Sequence, residues 1–456
     1  MAGSRLGFLV TSVAFFSSTM SGWGFVGGPG LVYTIGAGTF WMIVSTGLGF
    51  CGMFYLLGKR LRLVAEVTNP ISLPDVVTAR YDSRSTGFLT AIAILLGVLG
   101  YLGTQILAMA MVLQSILADV ASIGLLPLGA CMAISCAVLV FYCVTGGIIA
   151  SVYTDLVQGI IMVVAALLVV SATVASVDGG LEGMTRTILA DDAESMNPWG
   201  TRGIVGCLSW YFVFVFGVAG QPHLITKLMM TKKLDDARVM LPMSVGGFLL
   251  TALLWISIGL CMRTLVLQGA HPPLGEPDQA SPEFLKTYAH PVLAGVVFAG
   301  LMAAIMSTAD SFLNIGAAAV VHDIPRALRG RSLDNELLWA RVATVIIAAI
   351  ASGVALASGK MVALLGAVGW SVFSGAIVPT VAIGFNWKRA TPLACNLAIL
   401  TSLALNVGLQ VFSVTLPHLF YNGALSLLAS LTVFYVVSIV SSPPRIPPDI
   451  ETAMDL

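Results

Sequence analysis

Two short stretches interrupt long apolar segments of this chain, and they decide its fold. The first is SSTMSGWGFVGGPG at residues 17–30, and the second is GVAGQPH at residues 217–223. Glycine costs backbone entropy in a helix, and proline lacks an amide hydrogen and clashes with the preceding turn. Both stretches therefore predict a helix that is broken in its middle. The candidate break residues are Gly22, Gly217, Gly220 and Pro222.

The composition places these breaks in a membrane. Hydrophobic residues make up 57% of the 456 residues and charged residues 10%, whereas a soluble domain has about 45–50% apolar and about 25% charged residues. This excludes a water-soluble globule. Acidic and basic residues balance at 22 each, so no overall charge favours a nucleic acid or an acidic partner.

Twelve segments are long and apolar enough to cross a bilayer, which takes about 20 residues. They are residues 6–35, 39–57, 86–118, 124–144, 147–176, 204–229, 237–263, 288–320, 337–358, 361–385, 391–415 and 420–441. No connecting loop is long enough for a separate folded domain. We therefore expect an all-α integral membrane protein of about twelve transmembrane helices.

Lysine and arginine set the predicted orientation, because they are retained on the cytoplasmic side of a membrane. With the N-terminus inside, only five of the 22 basic residues fall on the external side. These five are Arg186, Arg202, Arg263, Lys286 and Lys360. The alternation predicts a multi-pass protein of the cell membrane with both termini in the cytoplasm.

The seven cysteines nearly all fall inside apolar runs, without the CxxC pairs or histidine clusters that metal sites use. They are Cys51, Cys131, Cys136, Cys143, Cys207, Cys261 and Cys395. We interpret them as small core residues.

The two broken spans are the first and the sixth, so each begins a set of five. Interrupted spans at corresponding positions of two halves are typical of transporters built from inverted repeats, with the binding site at the membrane midplane. The alternative is that glycine and proline are simply common in membrane helices, where small residues mark helix packing. We predict two repeats, two additional C-terminal helices and a short polar tail. Their bounds are residues 1–176, 204–385, 391–441 and 442–456.

Several motifs resemble the sodium/solute symporter family, which includes proline, pantothenate and sugar carriers. They are STMSGW (18–23), GPG (28–30), LPD (73–75), GG (146–147), TD (154–155), GQPH (220–223) and AIMSTADS (304–311). The last is the most specific. The resemblance implies a leucine-transporter-type 5+5 inverted repeat in which helices 1 and 6 are broken, followed by two more helices. Family members usually carry one further helix before this core, and residues 3–6 resemble the end of that connection.

The resemblance also implies a sodium site between spans 1 and 8. The ligands would be the carbonyls of Ser17, Met20 and Ala304 and the hydroxyls of Ser307 and Thr308. Hard cations prefer oxygen ligands, and residues spaced i, i+3 and i+4 share one helix face. Taken alone, a Ser-Thr pair more often bonds to its own preceding turn or links helices. Sodium would be a co-transported ion, and no other cofactor is expected.

Asp155 and Asp310 are the acids predicted nearest the membrane interior, where an ionisable group is costly and usually functional. We assign both to the path by which sodium leaves its site. The alternative for Asp155 is an interfacial cap at the start of span 5. The alternative for Asp310 is a hydrogen bond that holds span 8 in place.

The resemblance places the solute beside the two breaks, with spans 3, 6 and 10 as walls. The candidates are Thr19, Ser21, Trp23, Tyr101, Gln105, Phe214, Val218 and Trp370. The proline-carrying branch has an acid at position 19 and aromatic rings at positions 214 and 218, which argues against proline. Sugars demand many side-chain hydrogen bonds, so a small carboxylate, an amino acid or a pantothenate-like acid is favoured. No basic residue is predicted near either break, so backbone N–H groups and helix ends would hold the carboxylate.

Two other functions stay open, namely a family-like membrane sensor that does not transport and a sodium-independent uniporter or channel. Sensors of this family carry a long cytoplasmic kinase segment, and a channel has no need of hydroxyl ligands on two helices. We do not expect an enzyme. The predicted partners are sodium, a small-molecule solute and the lipid bilayer, without a nucleic acid, and the oligomeric state is not predicted.

Overall fold

The fold comes from a computed structural model, which describes residues 7–118, 126–359 and 361–455, without the side chains of residues 146–153 and 234. Lys360, which the charge pattern used, and residues 3–6, which resemble the end of a preceding connection, lie outside the described residues. Within these ranges the ordered elements are helices, and no β-strand is present. Eleven helical stretches of the described chain are long and apolar enough to span a membrane, and Phe8–Thr19 is a shorter apolar helix.

The helices follow the predicted segments along the chain. The first group is α1 (Phe8–Thr19), α2 (Gly28–Ile35), α3 (Phe40–Thr68), α4 (Leu73–Tyr81), α5 (Arg84–Ala118), α6 (Leu128–Ala175) and α7 (Gly180–Asp191). The second group is α8 (Gly203–Gly217), α9 (Pro222–Met229), α10 (Ala237–Leu267), α11 (Ala280–Thr287), α12 (Pro291–Ala318), α13 (Ile324–Arg329), α14 (Glu336–Ser358) and α15 (Val362–Ile377). The last is α16 (Pro392–Val411), α17 (Asn422–Val440) and α18 (Pro448–Asp455).

Helix α6 covers two predicted spans. The structure assigns α6 as one helix of 48 residues, within which Leu128–Thr145 and Thr154–Ala175 are two separate candidate spans. The hydroxyls of Tyr142 and Thr154 are nonetheless 3.1 Å apart, whereas twelve residues of straight helix advance about 18 Å. The chain therefore reverses between these two residues, and the two halves of α6 are separate spans.

Both predicted breaks are present. Helix α1 ends at Thr19, and Met20 leaves helical geometry with φ −86° and ψ 28°. A π-helical turn at Trp23–Gly27 then leads into α2. At the second break α8 ends at Gly217, and Gln221 is extended with ψ 110° before Pro222 begins α9. Spans 1 and 6 each consist of two half-helices, as predicted.

Small residues at the breaks allow neighbouring helices to approach closely. A Cβ atom on Gly22 would lie 2.6 Å from the Cβ of Ala108 on α5. A Cβ atom on Gly217 would lie 2.3 Å from the Oγ of Ser374 on α15. The two half-helix pairs are thus packed directly against α5 and α15.

Helices α5 and α15 are the innermost spans. The most apolar windows of the stretches Val362–Ile383 and Arg84–Ala118 are 89% and 72% buried, whereas that of α14 is 33% buried. The site between the breaks is therefore enclosed by the two most buried spans.

The loops divide into two groups that lie at opposite faces. One group, here called the basic face, carries the clustered lysines and arginines. Its residues are Lys59, Arg60, Arg62, Lys232, Lys233, Arg326, Arg329, Arg331, Lys388 and Arg389. Arg62 Nε donates to the Thr231 carbonyl at 2.7 Å, and Arg326 pairs with Asp75 at 3.0 Å. Loops predicted to share one side of the membrane thus contact one another.

The C-terminal residues dock on the basic face as helix α18. Its Ile450, Ala453 and Met454 are buried. Lys388 pairs with Glu451 at 2.9 Å, and Arg60 Nε donates to the Met454 carbonyl at 3.1 Å. Residues predicted only as a polar tail therefore join the start of α16 to the end of α3.

A loop on the opposite face packs against the first turn of α2 and the start of α15. Asp278, in the turn Pro277–Gln279 before α11, accepts a hydrogen bond from the Val362 amide at 2.7 Å. A Cβ atom on Gly30 would lie 2.8 Å from the Pro277 carbonyl oxygen. This loop therefore ties span 1 to span 10 above the breaks.

Candidate functional site

A small cavity lies between the two breaks. Its lining residues are Thr19, Trp23, Thr46, Tyr101, Phe214, Phe248, Gly366, Ala367 and Trp370. Five of them are predicted solute residues, namely Thr19, Trp23, Tyr101, Phe214 and Trp370. The cavity volume is about 10 Å³, which is close to the space that one water molecule needs.

Aromatic rings close this cavity. The ring centroids of Trp23 and Phe214 are 6.0 Å apart, those of Phe214 and Trp370 are 5.4 Å apart, and those of Tyr101 and Trp370 are 6.5 Å apart. The Trp23 indole also donates to the Ala363 carbonyl at 2.9 Å. These spacings are those of rings in contact. A solute of several heavy atoms enters only after the rings separate.

The other predicted solute residues hold the breaks instead of lining the cavity. The side-chain oxygen of Gln105 accepts a hydrogen bond from the Gly22 amide at 2.9 Å. The hydroxyls of Ser21 and Tyr101 are 3.3 Å apart. Val218 is buried in the 3₁₀ turn of the second break. Gln105 thus satisfies an amide that the first break frees from the helix.

Several buried polar atoms near the breaks lack a hydrogen-bond partner among the described residues. They are Gln105 Nε2, Gln221 Oε1, both ring nitrogens of His223 and Trp370 Nε1. The His223 ring lies 4.7 Å from the ring of Phe312, which lies 4.8 Å from that of Tyr101. Such atoms normally bind water or a ligand. His223 follows Pro222 in a quoted motif, but the sequence reasoning assigned it no role.

One predicted sodium residue of α12, Thr308, reaches the end of α1 at Ser18, which lies between the predicted ligand residues Ser17 and Met20. The Thr308 hydroxyl is 3.4 Å from the Ser18 carbonyl oxygen and 3.2 Å from that of Ala304. The Met20 amide donates to the Ser17 carbonyl at 3.1 Å, which leaves that oxygen one further lone pair. The structure thus brings hydroxyl and carbonyl oxygens of the two helices together at the first break.

Asp155 joins this group from the second half of α6. Its side chain is fully buried and accepts a hydrogen bond from the Ser307 hydroxyl. A Cβ atom on Gly159, one turn further along, would lie 2.3 Å from Val13 Cγ1. Helix α6 therefore packs tightly on α1 here, with Asp155 inside the protein and directly bonded to a predicted ligand residue.

Lys227 corrects one expectation from the sequence, because a basic residue does lie beside the first break. Its ammonium is 2.9 Å from the Asp155 carboxylate and 2.9 Å from the Ala14 carbonyl oxygen, and it also donates to the Ser18 hydroxyl. The side chain is 5% exposed. Its long stem reaches back from α9 to α1. A signal was present, since Lys227 falls inside the predicted span 204–229, where a charge is usually functional.

Asp310 occupies a separate position, two residues beyond Thr308. The Cys143 thiol lies 2.5 Å from its carboxylate, and the Asn314 amide donates to it at 3.1 Å. The carboxylate is buried. Cys143 is therefore a hydrogen-bonding residue as well as a core residue, and Asp310 fixes α12 against the first half of α6.

A sequence model of the sodium:solute symporter family matches residues 1–395. The chain belongs to this family. The predicted resemblance is confirmed, and with it the assignment as a multi-pass membrane transport protein.

Named relatives cover most of this symporter-family chain. The osmoregulated proline transporter OpuE of Bacillus subtilis (strain 168) is 27% identical over 89% of this chain and 81% of its own length. The sodium/pantothenate symporter of Escherichia coli (strain K12) is 26% identical over 95% of this chain and 88% of its own length.

Solved structures share its fold. A sodium-coupled sialic acid symporter in a substrate-bound outward-open state superposes with a TM-score of 0.77 at 18% identity, over 98% of this chain and 92% of that one. A nucleobase-cation-symport-1 family transporter in a closed conformation gives a TM-score of 0.61 at 14% identity, over 100% and 97%. The symporter thus has the leucine-transporter-type fold that the motifs implied.

Proposed function

We propose that this protein is a secondary active transporter that couples sodium entry to the uptake of a small carboxylate-bearing solute. One observation carries the proposal: two broken spans enclose an aromatic cavity, and beside the first break the Thr308 hydroxyl of α12 lies against the end of α1. Broken half-helices supply free carbonyls for a cation and free amides for an anion.

Sodium binds, in this proposal, between α1 and α12. Its ligands are the carbonyls of Ser17, Met20 and Ala304 and the hydroxyls of Ser307 and Thr308. The 3.4 Å approach of Thr308 to the Ser18 carbonyl supports this, because a cation between the helices needs only small displacements there. The bond from Ser307 to Asp155 leaves the lone pairs of that hydroxyl for the ion.

Sodium leaves, in this proposal, past the Lys227–Asp155 pair toward the basic face. The pair is buried and bridges spans 1, 5 and 6. When the pair separates, Asp155 offers a carboxylate to the departing ion and Asp310 a second one further along span 8. Taking charges out of water is costly unless they are paired, so the pair also returns readily after the ion has passed.

The solute lies, in this proposal, among Thr19, Trp23, Tyr101, Phe214 and Trp370, with Ser21, Gln105 and Val218 shaping the breaks. Proline, pantothenate and sialic acid, for which the relatives and one structural neighbour are named, all carry a carboxylate. The donors Gln105 Nε2 and Trp370 Nε1, which have no hydrogen-bond partner within the described part of the chain, lie near the breaks and suit such a group. The aromatic rings favour a compact, partly apolar remainder.

The repeats are proposed at residues 1–176 and 204–385, with additional helices at 391–441 and the docked segment at 442–456. The basic face is proposed to be cytoplasmic, so that both termini lie inside a cell membrane. The division of loops into two contacting groups supports this assignment. A reporter fused after Lys233 should then be cytoplasmic, and one inserted near Asp192 external.

The decisive experiment is uptake into proteoliposomes that contain the purified chain. A panel of labelled carboxylates and amino acids is offered with an inward sodium gradient, and with choline in place of sodium as the control. One sodium moving down about 100 mV releases about 2.3 kcal/mol, and a tenfold gradient adds about 1.4 kcal/mol. We expect accumulation up to a few hundred-fold with sodium and none with choline.

Two results would contradict the proposal. Equilibration without accumulation would indicate a uniporter or channel. Saturable binding of a solute without any uptake would indicate a sensor.

A further inference from the structure

Three metal-ligating side chains come together on the basic face, away from the cavity. Asp75 lies on α4, and His322 and Asp323 lie on the π-helical turn Ala319–Asp323 that follows α12. One ligand atom from each lies within 4.8 Å of the others. His322 Nε2 is 3.2 Å from Asp75 Oδ2. The spacing is thus close to that of ligands around one ion.

The three side chains are held inside the protein. His322 and Asp323 are each 6% exposed, and the Asp75 side chain is 13% exposed. The Ser72 hydroxyl donates to Asp323 Oδ1 at 2.5 Å and so fixes that carboxylate. Buried carboxylates are normally paired with a cation or bind a metal.

The charge of the cluster favours a divalent cation. Asp75, Asp323 and Glu336, whose Oε1 is 3.5 Å from His322 Nδ1, supply three carboxylates. Arg326 is the cation that the described contacts place among them. Its Nη1 is 3.0 Å from Asp75 Oδ1 and 3.4 Å from His322 Nε2, and its side chain is 54% exposed. The guanidinium of Arg326 therefore occupies the position that a bound ion would take. Because this side chain is half exposed, it can move into solvent when an ion binds.

We propose that Asp75, His322 and Asp323 bind a zinc-class transition metal ion once Arg326 swings away. One imidazole with carboxylates is a ligand set that zinc accepts, with water completing a tetrahedron. Glu336 then accepts the hydrogen bond from the other imidazole nitrogen and orients the ring, as second-shell carboxylates do at zinc sites. The arrangement therefore has both ligands and support.

An open cavity gives a hydrated cation access to this cluster. Its volume is about 460 Å³, and the charged side chains that line it are Asp75, Asp82, Asp323, Arg84 and Arg326. Three carboxylates against two guanidiniums leave the recess with an excess of one negative charge, which favours the entry of a cation. The ion therefore arrives from the aqueous side of the basic face.

The bound ion would join α4 to the end of span 8. Helix α4 is already fixed to the end of span 10, because Arg80 donates to the Gly384 carbonyl at 3.1 Å and Tyr81 to that of Thr380 at 2.8 Å. A metal bridge would replace the Asp75–Arg326 pair as the link between α4 and span 8 and would restrain helix movement at this face. Inhibition of transport by the ion rests on the proposed function, whereas binding of the ion does not.

The test begins with Zn²⁺ binding to the purified full chain by calorimetry, together with the visible absorption of bound Co²⁺. His322→Gln should weaken Zn²⁺ binding at least about tenfold and abolish the Co²⁺ bands. Arg326→Gln should tighten Zn²⁺ binding severalfold, because it removes the competing cation. His418→Gln, at an exposed histidine in the turn Pro417–Leu419, is the control and should bind like wild type.

Unchanged Zn²⁺ binding in His322→Gln, or weaker binding in Arg326→Gln, overturns the site. The Arg326→Gln variant controls for misfolding, because a misfolded protein would not bind Zn²⁺ at this site more tightly than wild type.

A second experiment measures uptake into proteoliposomes with Zn²⁺ added on the side of the membrane where the basic face of the protein lies. We expect slower uptake in wild type and no effect in His322→Gln. Zn²⁺ binding with unchanged uptake overturns the inhibition and leaves symport intact. Uptake without sodium overturns symport and leaves the metal site intact.

Discussion

The ammonium of Lys227 lies 2.9 Å from the carboxylate of Asp155, and neither side chain is accessible to solvent by more than 5%. The pair joins the second half-helix of span 6 to span 5, and further bonds to Ala14 and Ser18 join it to span 1. Both helix breaks are thus connected through a single buried ion pair. Movement of α9 away from α6 has to separate these two charges, and movement of α9 away from α1 has to break the bonds of Lys227 to Ala14 and Ser18.

Replacing one residue of this pair should destabilise the protein more than replacing both. Lys227→Met leaves a buried carboxylate and Asp155→Asn leaves a buried ammonium, and an unpaired buried charge costs about 3–5 kcal/mol. The double variant leaves neither charge. Thermal unfolding of the purified proteins should therefore rank the double variant above both single variants. If the loss of stability in the double variant equals the sum of the losses in the two single variants, the two residues act independently.

Ser307→Ala and Thr308→Ala should each raise the sodium concentration needed for half-maximal uptake. Each change deletes one oxygen at the junction of α1 and α12, and an unsatisfied buried partner costs about 1–3 kcal/mol. The maximal rate should return at high sodium. Thr251→Ala is the matched control, because its buried hydroxyl bonds only the preceding turn of α10 among the described contacts. An unchanged sodium requirement in both variants would remove α12 from the ion site.

Gly217→Ala should impair uptake through steric overlap at the second break. The added Cβ would lie 2.3 Å from Ser374 Oγ and 2.6 Å from Trp370 Nε1, and overpacking costs about 1–3 kcal/mol. Gly246→Ala on α10 is the control, since a Cβ there meets nothing within 4 Å. The measurement is the rate of uptake at saturating sodium in the two variants. Equal activity would mean that α8 and α15 separate easily.

Acid should stabilise the loop that carries Asp278. Burial raises the pKa of this carboxyl to about 6, against the hydrogen bond from Val362, which lowers it. Because the folded pKa lies above the unfolded value of 3.8, the folded state gains protons, and thus stability, as the pH falls from 7 through 6 toward 4.

The unfolding temperature of wild type, taken relative to Asp278→Asn, should therefore rise over this range. Glu276→Gln should show the same rise but a smaller one, because the charge of Glu276 contributes to the raised pKa of Asp278. A difference between wild type and Asp278→Asn that is independent of pH would show that Asp278 titrates normally.

The helix breaks were predictable because their cause is local. Gly22, Gly217 and Pro222 disfavour a helix wherever they stand, and the family motifs then placed Thr308 against the same region. The spans were predictable because bilayer thickness fixes their length. The predicted spans 124–144 and 147–176 meet inside α6, and the Tyr142–Thr154 contact agrees with a turn between them.

The remaining features depend on contacts between distant parts of the chain. Lys227 reaches the first break only because its stem is long and α9 lies against α1, which the pattern of apolar residues does not encode. Asp75 and His322 are 247 residues apart, so neither forms a cluster in the sequence. The docking of α18 depends on Lys388 and Arg60, which the charge count treated only as markers of a membrane side.

The rings that fill the space between the breaks have a thermodynamic consequence. A solute binds only the fraction of molecules in which the rings have parted, so the measured dissociation constant equals the intrinsic one divided by that fraction. An ion that favours the parted state strengthens solute binding without touching the solute, and the solute strengthens ion binding by the same factor. Cooperativity between the two cargoes then resides in the free energy of separating two tryptophans, a tyrosine and a phenylalanine.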